Sequence, residues 1–464
     1  MLVFFETVLK IFRVSDLRRR ILFTFGLLTI YRIGSLFSVP GTDRGEWGTF
    51  FSHNAGGMIG LIDLFTGGNT KQLTGFALGI VPYAVALALT AAKGRQSEHD
   101  TQREFVYKAK PALFMGLFRK YNLTFFITVI MSIIIAWTAM ENGMLPGYSR
   151  LRFALTAIFS LGAGTALAVW IVNLINSRGI GNGMWMVVFA GIVSGLPEGV
   201  LSLYKSVFIA RSRNLLELCV TVAAVLLIIA ATVLIEKSER RIPLQYSNEA
   251  GDRSAARAHS SFFPLRVDAG GVATLVRAAI GLSIVQVAWQ IWRAKKGLQS
   301  NTLFSNFGPG EPMYYLLFIV VIIAIGVALS LVSFDALANQ LQSQQVFIPG
   351  IRPGRRTVEY CQNILRRCTA IGVIQLSLIW FAASLLSMGI KLDHISITNI
   401  GNHSMRFPRF ILDGMDFNSP FFGISIVFAV VVSMELVDEI NAGLMMRHFE
   451  GFTPGSGRIK GRRT

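Results

Sequence analysis

The chain has 464 residues, 52% hydrophobic and only 15% charged, with 44 Lys and Arg against 26 Asp and Glu and a formal net charge of +18. Soluble chains carry about 25% charged residues and disordered ones are poor in apolar residues, so both classes are excluded. Three cysteines are too few for a disulfide scaffold, which leaves an integral membrane protein.

A hydrocarbon core of about 30 Å takes about 20 apolar residues as a helix. On that measure spans are predicted near 21–39, 75–92, 121–140, 153–175, 184–204, 214–235, 271–291, 313–333, 369–390 and 420–437. The first is not a cleaved signal peptide, because it is a full-length span without a small-residue cleavage site. Arg32, in its outer half, reads as a boundary residue that snorkels outward. The second span contains Gly79 and Pro82, and the fifth contains Gly191, Gly195 and Pro197; short, interrupted spans often line a cavity. The pairs Gly162/Gly164 and Gly191/Gly195 read as close helix packing. In the seventh span Arg277 has two readings. At depth an arginine costs about 2.5–3.5 kcal/mol and must face protein or water; placed shallowly, it snorkels.

With alternating spans, 29 of the basic residues fall in segments on the side of the N-terminus and 13 on the other, with Arg32 and Arg277 inside spans. The positive-inside rule makes the richer side cytoplasmic, so the chain is expected to be multi-pass with both termini in the cytoplasm. Three segments on that side, 93–120, 236–270 and 334–368, exceed what a reversal needs. The last holds Phe347-Ile-Pro-Gly-Ile-Arg-Pro-Gly354, a turn stiffened by two prolines, and then Thr357 to Arg367, which reads as an amphipathic helix. Such basic loops either fix topology and attract anionic lipid, or dock an acidic or nucleic-acid partner.

Catalytic signatures are missing: the sequence has no HExxH, paired CxxC, GxxxxGK[ST] or GxSxG. The six histidines never stand at metal-ligand spacing, and Cys361 and Cys368 read as small apolar residues. Glu435, Asp438 and Glu439 at the end of the last span read as a solvated helix end. Neither an enzyme nor a metal or other cofactor is expected. Pattern alone therefore ends at a ten-span channel or carrier with basic cytoplasmic loops.

Several segments go further. They are Asp16-Leu-Arg-Arg-Arg-Ile-Leu-Phe-Thr-Phe-Gly26, Tyr31-Arg-Ile-Gly-Ser35 and Val39-Pro-Gly41, then Leu61-Ile-Asp-Leu-Phe-Thr-Gly-Gly68 and Phe76-Ala-Leu-Gly-Ile-Val-Pro-Tyr83. Gly179-Ile-Gly-Asn-Gly183, Phe189 to Pro197, Glu239-Arg-Arg-Ile-Pro-Leu-Gln-Tyr246, Phe263 to Gly270, the 347–354 turn, Arg447 to Phe452 and Gly461-Arg-Arg463 follow. In this order they resemble the SecY family, the pore subunit of the general protein-secretion channel.

That resemblance implies an all-α, polytopic membrane protein of about ten transmembrane helices. They would form two inverted five-helix halves closing as a clamshell, residues 1–205 and 206–464, with a plug region near 61–74 and docking loops at 236–270 and 334–368. An apolar pore ring would use Ile80, Ala84, Val188, Ile192 and Val276, with Val427 or Phe428 from the last span. The plug would include Leu61, Asp63, Phe65, Gly67 and Gly68. Arg240, Arg241 and Arg352 would engage a SecA-type motor ATPase or the ribosome, and Arg277 would stand at a lateral gate between the second and seventh spans. SecE-type and SecG-type small subunits, preprotein signal sequences and membrane lipids are the other implied partners. The implied activity is translocation of unfolded preproteins across, and insertion of membrane proteins into, the cytoplasmic membrane. The alternatives are a secondary carrier for a small solute, a specialised accessory translocon and a non-conducting membrane scaffold. Two departures from the family pattern stand out. Ala84 is smaller than the usual ring residue, and Ala273-Thr-Leu-Val-Arg277 replaces an apolar stretch containing proline.

Overall fold

The computed structural model describes residues 15–54, 58–93, 112–209, 215–246, 261–266, 274–282, 285, 312–332, 346–347, 355–388 and 422–450. Its helices are α1 (Ser15–Gly34), α2 (Arg44–Asn54), α3 (Met58–Thr66), α4 (Val81–Lys93), α5 (Ala112–Asn142) and α6 (Arg150–Arg178). They continue with α7 (Gly183–Tyr204), α8 (Leu215–Glu236), α9 (Pro312–Val332), α10 (Arg355–Met388) and α11 (Phe422–Glu450). A further helical run covers 274–282. The strands are β1 (Glu239–Tyr246), β2 (Ser261–Arg266) and β3 (Val346–Phe347).

A helix that is apolar all round belongs in a membrane, with one face on protein and the others on lipid. In α6, Phe153, Ala157, Leu161, Thr165, Ala168, Val172 and Ile175 recur every three or four residues and are buried, whereas Leu151, Leu155, Phe159, Leu167 and Trp170 point outward. The same division leaves Phe125, Ile130 and Trp137 exposed on α5, and Leu226, Leu227 and Leu234 on α8. Among the described residues four helices are long and apolar enough to cross a membrane: Leu123–Asn142, Arg150–Arg178, Leu218–Glu236 and Arg366–Leu386.

Packing proceeds largely by neighbours. α4 lies on α5, α5 on α6, and α1 on α6 and α7; later in the chain α8 packs on α10 and α11, and α10 on α9 and α11. Early and late helices meet where α7 packs on α11, with Trp185 edge-on to Phe428 at 5.5 Å. One large apolar core runs through both groups, and a second, smaller core gathers around Trp47, Leu73, Leu78, Phe153 and Leu161.

The elements depart from the sequence reading in several places. The second span becomes helical only at Val81; residues 67–80 are a succession of turns. Gly79, at φ +48°, leads into a helix whose second residue is Pro82, a position where the missing N–H is harmless. The amphipathic helix of 357–367 is not separate, because α10 continues without a break to Met388. α7 carries Pro197 internally and ends in a π turn at Lys205–Ile209. The most visible addition is a sheet of order β2-β1-β3. β1 and β2 form an antiparallel pair with Arg240 opposite Leu265 and Arg241 opposite Pro264. Among the described residues β3 pairs with Gln245 and Tyr246 at the end of β1. Pro243 stands within β1, opposite Phe262 of β2. Prolines at 243 and 264 hid these strands from a reading of pattern.

Candidate functional site

Among the described residues, the segment between α1 and α4 carries a dense set of long-range bonds. Its helix, α3, has nine residues, about 14 Å of rise, and cannot cross a hydrocarbon core of about 30 Å. It ends in a Schellman turn. Gly68 N donates to Asp63 O at 3.0 Å and Gly67 N to Leu64 O at 3.3 Å, with φ of +72° at Gly67 and +87° at Gly68. Only glycine takes this left-handed geometry without cost.

That turn is seated from two sides. On one, α1 reaches it through adjacent residues: Tyr31 Oη donates to Thr66 O at 3.3 Å and Arg32 Nη1 to Gly67 O at 3.0 Å. Asn69 Nδ2 donates to Thr66 O at 2.7 Å and to Tyr31 Oη at 3.1 Å. On the other side, Gly67 and Gly191 of α7 meet backbone to backbone, so that a Cβ on either would fall on the Cα of the other. Farther along, Thr70 Oγ1 donates to Ala77 O at 2.7 Å and Trp47 Nε1 to Thr70 O at 2.9 Å, which fixes the turns leading to α4. Arg32 thus faces inward onto the protein rather than snorkelling.

Of the residues expected in the plug, Phe65 is buried and Asp63 is half-buried; the side chain of Leu61 lies outside the described residues. Asp63 Oδ1 accepts from Lys71 N at 2.8 Å. Burial pushes the Asp63 carboxyl up to about 6, against the opposing effect of the Lys71 amide and charge.

Of the residues expected in the ring, Ile80, Val188, Val276, Val427 and Phe428 are buried and belong to the large apolar core, and Ile192 packs against it. Ala84 is half-buried and is not among the residues of that core. The core also takes in Leu275, Ala278 and Ala279, so the half-buried Arg277 interrupts an otherwise apolar helical run. The small-residue pairs behave differently from the helix packing anticipated for them. Gly164 is pressed against the backbone of Gly75 and Gly191 against Gly67, both partners lying in non-helical chain, while a Cβ on Gly162 or Gly195 would meet no neighbouring element within 4 Å among the described residues.

Just before α7, Gly181 N donates to Glu439 Oε2 of α11 at 2.9 Å. The carboxylate thus ties α11 to the turn before α7, more than the solvated helix end expected of it. Beside it lies a cavity of about 170 Å³ lined by Asn182, Trp185, Met186, Val432, Glu435 and Leu436. On the sheet, Arg240 and Arg241 are exposed. Arg241 pairs with Glu239 at 2.9 Å and stands over the Phe262 ring at 5.1 Å. β3 lies on the same sheet as these arginines; Arg352 lies outside the described residues.

The site residues that pattern reading missed are Tyr31, Asn69, Thr70 and Trp47. Their signal was present as polar groups in or beside apolar spans, but their partners are backbone carbonyls, which leave no mark in a sequence.

The family model for SecY matches residues 74–437. Protein translocase subunit SecY of Thermotoga maritima is 28% identical over 97% of this chain and 98% of that protein. The subunit of the same name from Mycobacterium tuberculosis is 30% identical over 95% and 98%. Among solved structures, "The structure of a protein conducting channel" matches with a TM-score of 0.60 at 12% identity, covering 95% of both chains. "Sec61 in the Canine ribosome-channel complex from the endoplasmic reticulum" matches with a TM-score of 0.58 at 11% identity, again over 95% of each.

Proposed function

The chain belongs to the SecY family, and from that premise we propose that it is the protein-conducting pore subunit of the Sec translocation channel. It passes unfolded preproteins across the cytoplasmic membrane and releases membrane segments sideways into lipid. The observation that carries the reading is a short helix, α3, folded back between two helices with its end held against α7. A carrier with a polar midplane site has no use for such a segment, whereas a channel for proteins needs a removable stopper.

Residues 1–205 and 206–464 form the two halves, and the pore runs between them. Ile80, Val188, Ile192, Val276 and Phe428 make the apolar constriction, with Ala84 a looser point in it. Apolar rings seal by excluding water, and side chains without directional bonds can part around a passing chain. The segment around 61–74, with Asp63, Phe65, Gly67 and Gly68, closes one mouth when no substrate is present. Arg277 stands at the lateral gate between the second and seventh spans, where signal sequences leave the pore. The excess of basic residues puts both termini in the cytoplasm. There the sheet carrying Arg240 and Arg241, with the loop of Arg352, docks a SecA-type motor or the ribosome. SecE-type and SecG-type subunits brace the halves. Energy comes from the partner, since the chain carries no nucleotide-binding motif.

The test is reconstitution with SecE-type, SecG-type and SecA-type partners in vesicles. Signal-bearing preprotein should become protease-protected only with motor and ATP present. Saturable uptake of a small solute by the chain alone would overturn the reading.

A further inference from the structure

Arg32 is the half-buried cation that a reading of pattern sends outward to the membrane surface. Instead its guanidinium donates to the Gly67 carbonyl at 3.0 Å. That carbonyl lies just past the C-terminal end of α3, where unsatisfied carbonyls and the helix dipole concentrate negative partial charge. Tyr31, the preceding residue, binds the neighbouring carbonyl of Thr66. Tyr31 is fully buried and Asn69 nearly so, so these bonds are shielded from competing water. The contact is also sterically directed. The Gly67–Gly191 approach leaves no room for a side chain on either residue, so the Gly67 carbonyl is delivered to the guanidinium in one position.

We propose that Arg32 is a positioning residue for the plug: it holds the α3 turn in its seat by a charge-assisted bond to the Gly67 carbonyl, and the resting channel stays closed only while that bond is made. This rests on the reading of 61–74 as a plug. An arginine suits the task because it stays charged in an apolar setting, and its long stem reaches across from α1. One hydrogen bond to a carbonyl is strong enough to bias a two-state segment and weak enough to be broken when a substrate enters.

The experiment uses the assembled complex in vesicles without substrate, reading ion leak together with amide exchange over 58–74. Three variants are compared: R32A, R32K and deletion of 58–72. Deletion should leak, which establishes the plug reading independently of the latch. R32A should raise the resting leak and the exchange of 58–74 about tenfold or more, the loss expected for a hydrogen bond to a charged donor. R32K, which keeps the charge, should recover most of the seal, and motor-driven transport by all three should persist. A tight R32A channel beside a leaking deletion would overturn the latch and leave the plug. A deletion variant as tight as the parent would remove the plug reading and the latch with it. Should R32A fail to accumulate, R32Q carries the test, and a sealed R32Q channel with unchanged exchange overturns the proposal.

Discussion

Thr66 and Ile80 are fourteen positions apart, yet the regions they belong to are held by opposite means. Around Thr66 the contacts are directional: Tyr31, Arg32, Asn69 and Trp47 each reach a named carbonyl, and two glycines meet without side chains between them. Around Ile80 they are not: Ile80, Val188, Val276 and Phe428 are hydrocarbon side chains that share an apolar core and have no polar atom of their own to match. Directional bonds give one position and are lost together when a segment leaves. Apolar contact falls off gradually and can be remade in many arrangements. A stopper requires the first kind of holding and an adaptable constriction the second.

The strongest challenge to that contrast is Gly191→Val. The new side chain would occupy the Gly67 backbone, and backbone cannot yield as a side chain does, so seating should lose about 3 kcal/mol or more. Ion leak in vesicles should approach that of the 58–72 deletion; an intact seal would mean the close approach is not what seats the turn. At the proposed waist, Ile80→Asn buries an amide without partners at a cost of about 1–3 kcal/mol, whereas Ile80→Leu should cost less than about 1.5 kcal/mol. Thermal unfolding of the two variants should separate them, and equal midpoints would show that the waist is more polar or more open than its burial implies.

Trp47→Phe keeps an aromatic ring and removes one donor to Thr70 O, which still accepts from Leu73 N, so a loss of about 0.5–1.5 kcal/mol, the net worth of one hydrogen bond, is expected. Amide exchange confined to 66–77 would be its signature. Acidity offers a subtler probe. Asp63 sits at about 6 when seated against about 3.9 for a hydrated aspartate. The seated form of the proposed plug therefore binds more protons between those values. Seating should be favoured at low pH, weaken as pH rises from about 4 to about 6, and level off above. Asp63→Asn should flatten that dependence and tighten the seal at neutral pH; a leak that rises on acidification in the parent would contradict the assignment. The smallest effect is expected on the sheet. Arg241→Ala removes an exposed ion pair and a ring contact, together about 1 kcal/mol or less. It should leave resting leak unchanged, and any loss should appear in motor-driven transport.

Much of the architecture was legible beforehand because lipid imposes length and polarity on whole segments. The runs that became α5, α6 and α8 needed only counting. Legibility failed where the decisive partner was backbone. Nothing in Gly67 or Gly191 says that they touch, and nothing in Arg32 says that its acceptor is a carbonyl thirty-five residues on. The helix start at Val81 was hidden for a related reason: Gly79 and Pro82 mark a break, but hydrogen bonds from Thr70 and Trp47 decide where the turns before it go. The strands were hidden by their prolines, a residue that argues against a strand in a reading of pattern.

The sequence by itself determined that this chain lives in a membrane, which loops are basic and which family it resembles, because hydrophobic length, charge asymmetry and motif order are properties of a string. Only the tertiary structure decided what Arg32 does, which glycines are contacts and which are bystanders, and that Glu439 ties α11 to the turn before α7. Those outcomes depend on groups far apart in the chain meeting within about 3 Å, a distance at which hydrogen-bond direction and the presence of one Cβ outweigh composition.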